Sequence, residues 1–368
     1  MQDFSGHRVL QLIDTLALGG AERVAVNIAN ALSQRGAKSF LCATRDSGPL
    51  EKVLNDEVLL LRLERKSTFD ISAVFRLRRF ISDNQISIIH AHSSSLFIAT
   101  IVKILTPGVK LIWHDHYGNQ HAVLRNALPY RLALRFADKV IAVNRMLKDW
   151  IVDCCRVSED KVRYIPNFAV LDGLPNTSTS ISLELPRKKG HRVVALANMR
   201  RQKDHLTLVS AFSHVVTRDA DAHLLLIGDT PDKELLDEVR ALIAQKGLEE
   251  KISILGRRED VGAILAQCDI GVISSVSEGL PLALLEYGFA DLAVVSTDVG
   301  QCREVLVDGE MGRVVSSGDT ENLGVAIAEL LENPDLRKEL GRKFQDHVQK
   351  NYSEDAFMKS LAEVYATV

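Results

Sequence analysis

RVLQLIDTLALGGAERVAVNIANALSQRG, Arg8 to Gly36, decides how the rest of the chain is read. A short apolar run closes at Asp14, a Gly19-Gly20 turn follows, and the next apolar residues recur at helical spacing until Gly36 stops them. That is strand, turn, helix. The same order repeats through SFLCAT, a helix from about Asp70 to Ser82, ISIIHAH, a helix around LFIATIVKIL, KLIWHDH, a helical stretch from about Gln120 to Phe136, and KVIAVN. Short strands alternating with helices specify a mostly parallel sheet covered on both faces.

Between Asn167 and His191 the text turns to AVLDGLPNTSTSISLELPRKKG, rich in Ser, Thr, Pro and Gly and without helical periodicity, which reads as a linker. Beyond it strand and helix alternate again, through RVVALAN, KDHLTLVSAFSHVVT, HLLLIGD, LLDEVRALIAQKG, KISILG, VGAILAQC, DIGVISS, an apolar helix near Pro281, and AVVSTD. The expected architecture is two doubly wound, Rossmann-like parallel-sheet α/β domains facing across a cleft. Residues 1–185 form the first and 186–352 the second, with an amphipathic C-terminal helix at about 353–368 packing back on the first. A chain of 368 residues exceeds one ordinary core, so two domains also agree with its length.

Hydrophobic residues make up 46% and charged residues 25%, with a net charge of -3, a composition that excludes disordered, fibrous and nucleic-acid-coating classes. Charge is uneven: residues 1–185 carry 23 basic and 18 acidic side chains, and the remainder 22 and 30. A basic half suits an anionic partner, and equally a solvated surface. The five cysteines follow no metal or disulfide spacing, which points to a reducing compartment. With no leader pattern at MQDFSGHRVLQLI and no apolar run of about 18 residues, the expectation is a cytoplasmic protein whose membrane contact is peripheral.

In facing parallel domains ligands meet the carboxyl ends of the strands, so candidates are sought just after strands. SEGLPLALLEYG, Ser277 to Gly288, follows DIGVISS and carries two carboxylates in an apolar context. Pro281 suits a first helical turn, which puts Glu278 and Gly279 in the turn before it and Glu286 more than one turn inside. Gly279 permits close backbone approach, and the helix start favours an anion such as a diphosphate. The plainer alternative is that Glu278 complements the helix dipole and Glu286 sits on a wet face. Lys203 follows RVVALAN with Arg200 and Arg201, three cations suited to phosphate oxygens, and Gly19 and Gly20 occupy the corresponding turn of the first domain. His90, His92, His114 and His116 cluster after two first-domain strands and suggest a polar pocket, or less readily a metal site.

Taken together these pieces resemble the retaining glycosyltransferases of family 4, also called group 1, with the GT-B fold. The resemblance covers nearly the whole chain. Its most specific part is SSVSEGLPLALLE followed by STDVGQCREVLVDGEMGRVV, an E-x7-E motif at Glu278 and Glu286 and then an acidic position at Glu304. LALGGAERVAVNIANAL, IIHAHS, ADKVIAVN, YIPNF and NMRRQKDHLTL support it. The resemblance implies a nucleotide-diphosphate sugar on the second domain and an acceptor hydroxyl on the first. It implies that Glu278 contacts the sugar near the reacting centre, that Glu286 binds the ribose hydroxyls, and that N–H groups around Gly279, Leu280 and Leu282 hold phosphate. Lys203, helped by Arg200, would stabilise the leaving diphosphate; His116 would border the donor sugar, with His114 two residues away as the alternative; Gly19 and Gly20 would lie in the loop facing the phosphates.

One departure is that many members carry an arginine five positions before the loop lysine, where this chain has Asn198 and its arginine comes at Arg200. No metal or other cofactor is expected, since Lys203, Arg200 and a helix N-terminus can meet the leaving group's charge. UDP is the favoured nucleotide, and a glycan or lipid-linked acceptor in cell-surface polysaccharide or glycolipid assembly the favoured setting. HAVLRNALPYRLALRFADK, His121 to Lys139, mixes Arg125, Arg131, Arg135 and Lys139 with apolar residues. It reads either as a face for an anionic bilayer at the inner membrane surface or as a core helix with a basic exterior. Rival functions are a nucleotide-sugar epimerase of the same fold and a non-catalytic sugar-nucleotide-binding protein.

Overall fold

Apolar runs bounded by polar turns become parallel strands because both faces of each run are buried. The computed structural model describes residues 2–17, 19–67, 70–117, 125–168, 185 and 191–368. Contacts divide the chain into two units, Met1–Phe168 with Glu354–Val368, and Ala169–Ser353. Of the linker stretch 169–190 only Leu185 is described. Leu185 packs against the second unit's core and its carbonyl accepts from Arg192 Nη2 at 3.3 Å.

The first unit contains β1 (Arg8–Thr15), β2 (Lys38–Asp46), β3 (Leu59–Arg62), β4 (Ile88–His92), β5 (Lys110–Asp115), β6 (Lys139–Ala142) and β7 (Val162–Tyr164) in the order β3-β2-β1-β4-β5-β6-β7, all parallel. The order reverses between β1 and β4. One sheet face is covered by the helices Ile71–Asp83, Leu96–Leu105 and Arg145–Asp153 and by Ala127–Ala133, which runs on as a tight turn to Phe136. Of the helical stretch expected from about Gln120 to Phe136, the part at 120–124 lies outside the described residues, and the described helix begins at Ala127.

The opposite face is covered by Gly20–Gln34 and by the last helix, Glu354–Tyr365. That last helix buries Phe357, Met358, Leu361, Val364 and Tyr365 against the helix Gly20–Gln34 and the sheet. At roughly 1.5–3 kcal/mol for each large apolar side chain fully buried, this seam outweighs the polar contacts at its rim. The rim is nonetheless specific: Arg35, 4% exposed, reaches Glu354 at 2.6 Å and Asp355 at 2.7 Å.

The second unit contains β8 (Arg192–Leu196), β9 (His223–Ile227), β10 (Ile252–Gly256), β11 (Ile270–Ile273), β12 (Ala293–Thr297) and β13 (Arg313–Val315) in the order β10-β9-β8-β11-β12-β13, again all parallel. Here the reversal falls between β8 and β11. Helices His205–Arg218, Lys233–Gln245 and Thr320–Glu332 cover one face; Val261–Leu265, Leu282–Phe289 and Pro334–Asn351 cover the other. No described helix is long and apolar enough to cross a membrane.

Tyr287 pins the helix Leu282–Phe289 to this sheet. Its fully buried hydroxyl accepts from Leu196 N–H at 2.7 Å and donates to the Val272 carbonyl at 3.3 Å, joining the strands on either side of the reversal. The ring lies on Gly271, where an added Cβ would come within 2.3 Å of it. The Gly271→Ala substitution is therefore expected to lower the second unit's stability by about 1–3 kcal/mol in urea unfolding, as other overpacked cores do. A change within about 0.5 kcal/mol, the range of ordinary surface substitutions, would contradict this packing.

Candidate functional site

In doubly wound sheets the crevice where strand order reverses is where backbone leaves room for a ligand. In the second unit that place receives the segments after β8 and β11. Leaving β8, Asn198 Oδ1 accepts from Asp229 N–H at 2.9 Å, and the Asp229 carbonyl accepts from Met199 N–H at 2.8 Å. Asn198 thus fixes the loop path. The chain then makes a short turn at Arg201–Lys203, and Asp204, with φ of 49°, caps the helix His205–Arg218 by accepting from Thr207 N–H at 3.2 Å.

This turn sorts the three cations. Arg201 faces outward to Glu238 at 2.7 Å, and Arg200 is exposed. Lys203 Nζ meets Glu278 Oε1 at 2.5 Å, with the two side chains 20% and 9% exposed. The same oxygen accepts from Ser275 Oγ at 2.6 Å, and Ser274 Oγ donates to the Lys203 carbonyl at 2.8 Å. Ser274 and Ser275 escaped the sequence reading; the only signal was two small hydroxyls ending DIGVISS.

The turn carrying Glu278 is held from β12. Thr297 Oγ1 donates to the Ser275 carbonyl at 2.8 Å, and Gln301 N–H to the Gly279 carbonyl at 2.8 Å. Gly300, at φ of 54°, lies so close that a Cβ would fall 2.2 Å from that carbonyl oxygen. Pro281 caps the helix rather than opening its first turn, so Leu282 is the first helical residue and Glu286 the fifth, partly buried. The first N–H groups of any helix lack intrahelical partners. Those of Gly279 and Leu280 just before it donate to no main-chain carbonyl among the described residues. Amide donors, Lys203 and Glu278 therefore converge at one helix start, a setting for a diphosphate with a polar group beside it.

In the first unit Gly19 caps the helix that starts at Gly20, again just after a strand bordering the reversal. A Cβ at Gly20 would meet nothing within 4 Å, so the fold itself does not require glycine there. The four histidines form a ladder. His92 Nδ1 lies 2.8 Å from His116 Nε2 and His92 Nε2 lies 2.8 Å from Gln11 Oε1; His90 lies 3.2 Å from His114 and 2.9 Å from the Tyr365 hydroxyl. Because Gln11 Oε1 accepts, His92 is protonated on Nε2, and its Nδ1 accepts from His116 Nε2–H. His116 Nδ1 is buried, with the Asn167 side chain beside the ring. Donor nitrogens of His90, His92 and His114 lie within 4.8 Å of one another, but most already serve these hydrogen bonds, which a metal would have to break.

Arg125 does not join Arg131 and Arg135 on an outer face. It pairs with the buried Asp115 at 2.6 Å and sits over the rings of Trp150, Tyr117 and Tyr130 at 4.2, 4.4 and 4.8 Å. Lys139 is also engaged, donating to the Asp160 carbonyl at 3.0 Å.

Burial, reinforced by neighbouring imidazoles, holds His92 and His114 well below the ordinary histidine range, and burial takes His90 and His116 down to about 3. A histidine neutral in the fold at a pH where the unfolded chain is protonated costs stability as pH falls below about 6.5, and the loss continues until the folded group titrates. The first unit is therefore expected to lose stability steadily from pH 6.5 toward pH 4, at up to about 1.4 kcal/mol per pH unit for each such histidine. His90→Phe should flatten the slope of melting temperature against pH; an unchanged slope would contradict the assignment.

Two family models match: group 1 glycosyl transferases over residues 190–333 and glycosyltransferase family 4 over residues 18–173, together most of the chain. The N-acetyl-alpha-D-glucosaminyl L-malate synthase of Bacillus anthracis is 22% identical over 96% of this chain and 95% of its own. A Campylobacter jejuni diphospho-undecaprenol 4-alpha-N-acetylgalactosaminyltransferase is 24% identical over 89% and 90%. Among solved structures, Anabaena HepE in complex with UDP superposes with a TM-score of 0.83 at 18% identity, over 98% of this chain and 100% of that one. With two parallel sheets of seven and six strands, these matches show that the chain belongs to the group 1, family 4 glycosyltransferases of the GT-B fold.

Proposed function

We propose that this glycosyltransferase moves a sugar, with retention of anomeric configuration, from a UDP-sugar to a hydroxyl of a glycan or lipid-linked acceptor in cell-surface assembly. The observation that carries the donor reading is the Lys203–Glu278 pair at the start of the helix Leu282–Phe289. Lys203 has three donor positions, of which Glu278 takes one, so the ammonium can turn to the oxygens of a departing diphosphate. Arg200, exposed at the same turn, adds charge, and the N–H groups of Gly279, Leu280 and Leu282 hold the phosphates. Glu278 contacts the sugar beside the reacting carbon, and Glu286 takes the ribose hydroxyls. His116 borders the donor sugar, and Gly19 and Gly20 meet the phosphates. Charge on the leaving group is met by these side chains and amides, so no divalent ion is invoked.

The names of relatives support the setting. They include a phosphatidylinositol N-acetylglucosaminyltransferase subunit of Saccharomyces cerevisiae, a lipopolysaccharide core mannosyltransferase of Rhizobium leguminosarum and the Campylobacter enzyme. Peripheral contact with an anionic bilayer at the cytoplasmic face belongs to the same proposal. The neighbouring helices Ile71–Asp83, Leu96–Leu105 and Ala127–Phe136 expose Phe75, Ile104, Leu128 and Leu132. Exposed on or just beyond them are Arg76, Arg78, Arg79, Arg131 and Arg135 against Asp83, while Lys103 is taken by Asp138.

Among UDP, GDP, ADP and CMP, UDP is expected to raise the melting temperature selectively, by an amount equivalent to about 2.7 kcal/mol at a hundred times its dissociation constant. Glu286→Ala should abolish that shift and EDTA should leave it unchanged. Lys203→Met should lower kcat with a UDP-sugar by roughly 10²–10³, the scale of one lost charge-stabilising donor. No shift with any nucleotide would overturn the donor reading, and epimerised nucleotide sugar formed without acceptor would replace transfer by epimerisation.

A further inference from the structure

Asp14, near the end of β1, is built into a cluster that none of the donor-site roles uses. Its carboxylate accepts from Thr44 Oγ1 at 2.6 Å, Ser94 Oγ at 2.7 Å and Ser95 Oγ at 3.1 Å. Two guanidinium groups stand beside it, Arg45 Nε and Arg65 Nη2, each at 3.5 Å. These residues come from the carboxyl ends of four adjacent strands, β3, β2, β1 and β4, and so straddle the strand reversal of the first unit.

The chain goes to some length to bring Arg65 there. Glu64, at φ of 50°, turns the backbone after β3, and Arg65 N–H donates to the Thr44 carbonyl at 2.8 Å. The Arg65 side chain is only 5% exposed, and its Nε–H is buried without a partner among the described residues. Arg45 is 48% exposed and supplies the open side. Burial works against ionisation of Asp14, but the three hydroxyls and Arg65 outweigh it and keep the carboxyl below its usual range.

Two permanent cations thus face one carboxylate whose oxygens are already occupied by hydroxyls. Asp70, which also acts on Arg65, is committed to Ser72 Oγ and to the N–H groups of Lys66 and Ala73. A buried guanidinium with an unused donor beside a second, half-exposed one is a fork for a planar or tetrahedral oxyanion.

We propose that Arg45 and Arg65, held by Asp14, bind an anionic group of the acceptor, a carboxylate or a phosphate, next to the hydroxyl that receives the sugar. The inference rests on the transferase reading and adds to it the acceptor's chemical class. Asp14 acts as a positioning residue, and the hydroxyls of Ser94, Ser95 and Thr44 fix its oxygens.

The test is calorimetric titration of the full chain, saturated with UDP so that the donor site is filled, with methyl phosphate, succinate or glycerol as probe. One or both anions should bind and glycerol should not, and which anion binds separates a phosphate-bearing acceptor from a carboxylate-bearing one. Arg45→Gln should weaken the bound anion at least tenfold and Arg45→Lys by less, with UDP affinity unchanged in both. Arg45 is chosen because it is half exposed, so its replacement leaves the fold intact where Arg65→Gln would not. Absence of anion binding in the wild type, equal binding in Arg45→Gln, or glycerol binding as well as the anions would each overturn the proposal while UDP still binds. Loss of UDP binding itself would instead bring down the transferase reading on which it rests.

Discussion

Parallel strands joined by right-handed helical crossovers cannot keep adding to one edge without leaving a gap where the order turns back. In this chain the turns fall between β1 and β4 and between β8 and β11, and the groups with chemistry to offer gather at those two places. Asp14 lies near the end of β1, and Gly19, Ser94 and His116 follow strands at or beside the first; Lys203, Ser275 and Glu278 follow strands at the second. The sheets are otherwise apolar on both faces, so a charge in either unit either reaches the surface, finds a partner, or sits at the carboxyl end of a strand.

The Lys203–Glu278 pair shows what that position costs and allows. Taking two charges partly out of water gains little net stability, because desolvation offsets the attraction. Under the proposed function, a pair at 2.5 Å with a serine hydroxyl on the same oxygen is two polar groups held ready for a ligand rather than a strut. The supports around it are uncharged and firm: Tyr287 spans β8 and β11 from beneath, and Gly300 lets the following loop close against Gly279. The histidine ladder follows the same logic in the first unit. Its rings are kept neutral by burial, and the Gln11 side-chain oxygen anchors the end of the ladder at His92.

Much of this was legible in the sequence because it rests on periodicity and punctuation. Helices with an apolar stripe ending at Gly36 or Gly247, and strands of continuous apolar residues, announce themselves. The E-x7-E context drew attention to Glu278 and Glu286, a strand exit to Lys203, and the family resemblance to His116 among four histidines at strand ends. Short edge strands such as β3, β7 and β13 carry too few residues to show a period, and Pro334–Asn351 is too polar to stand out although Leu340, Phe344 and Val348 are buried. Arg125 misled because it was read with Arg131 and Arg135 as one stretch of mixed basic and apolar residues, whereas it precedes the helix and turns inward to Asp115. Ser275 and the Asp14 cluster were invisible because their partners come from strands far apart in sequence.

The central claim is that a nucleoside diphosphate sits on the segments after β8 and β11. Hydrogen exchange of the full chain, read by mass spectrometry with and without UDP, tests it directly. The account predicts slowed exchange concentrated in peptides spanning 197–204 and 277–286, where the amides of Gly279 and Leu280 take up the phosphates. Protection that spares both segments while UDP is bound would contradict it.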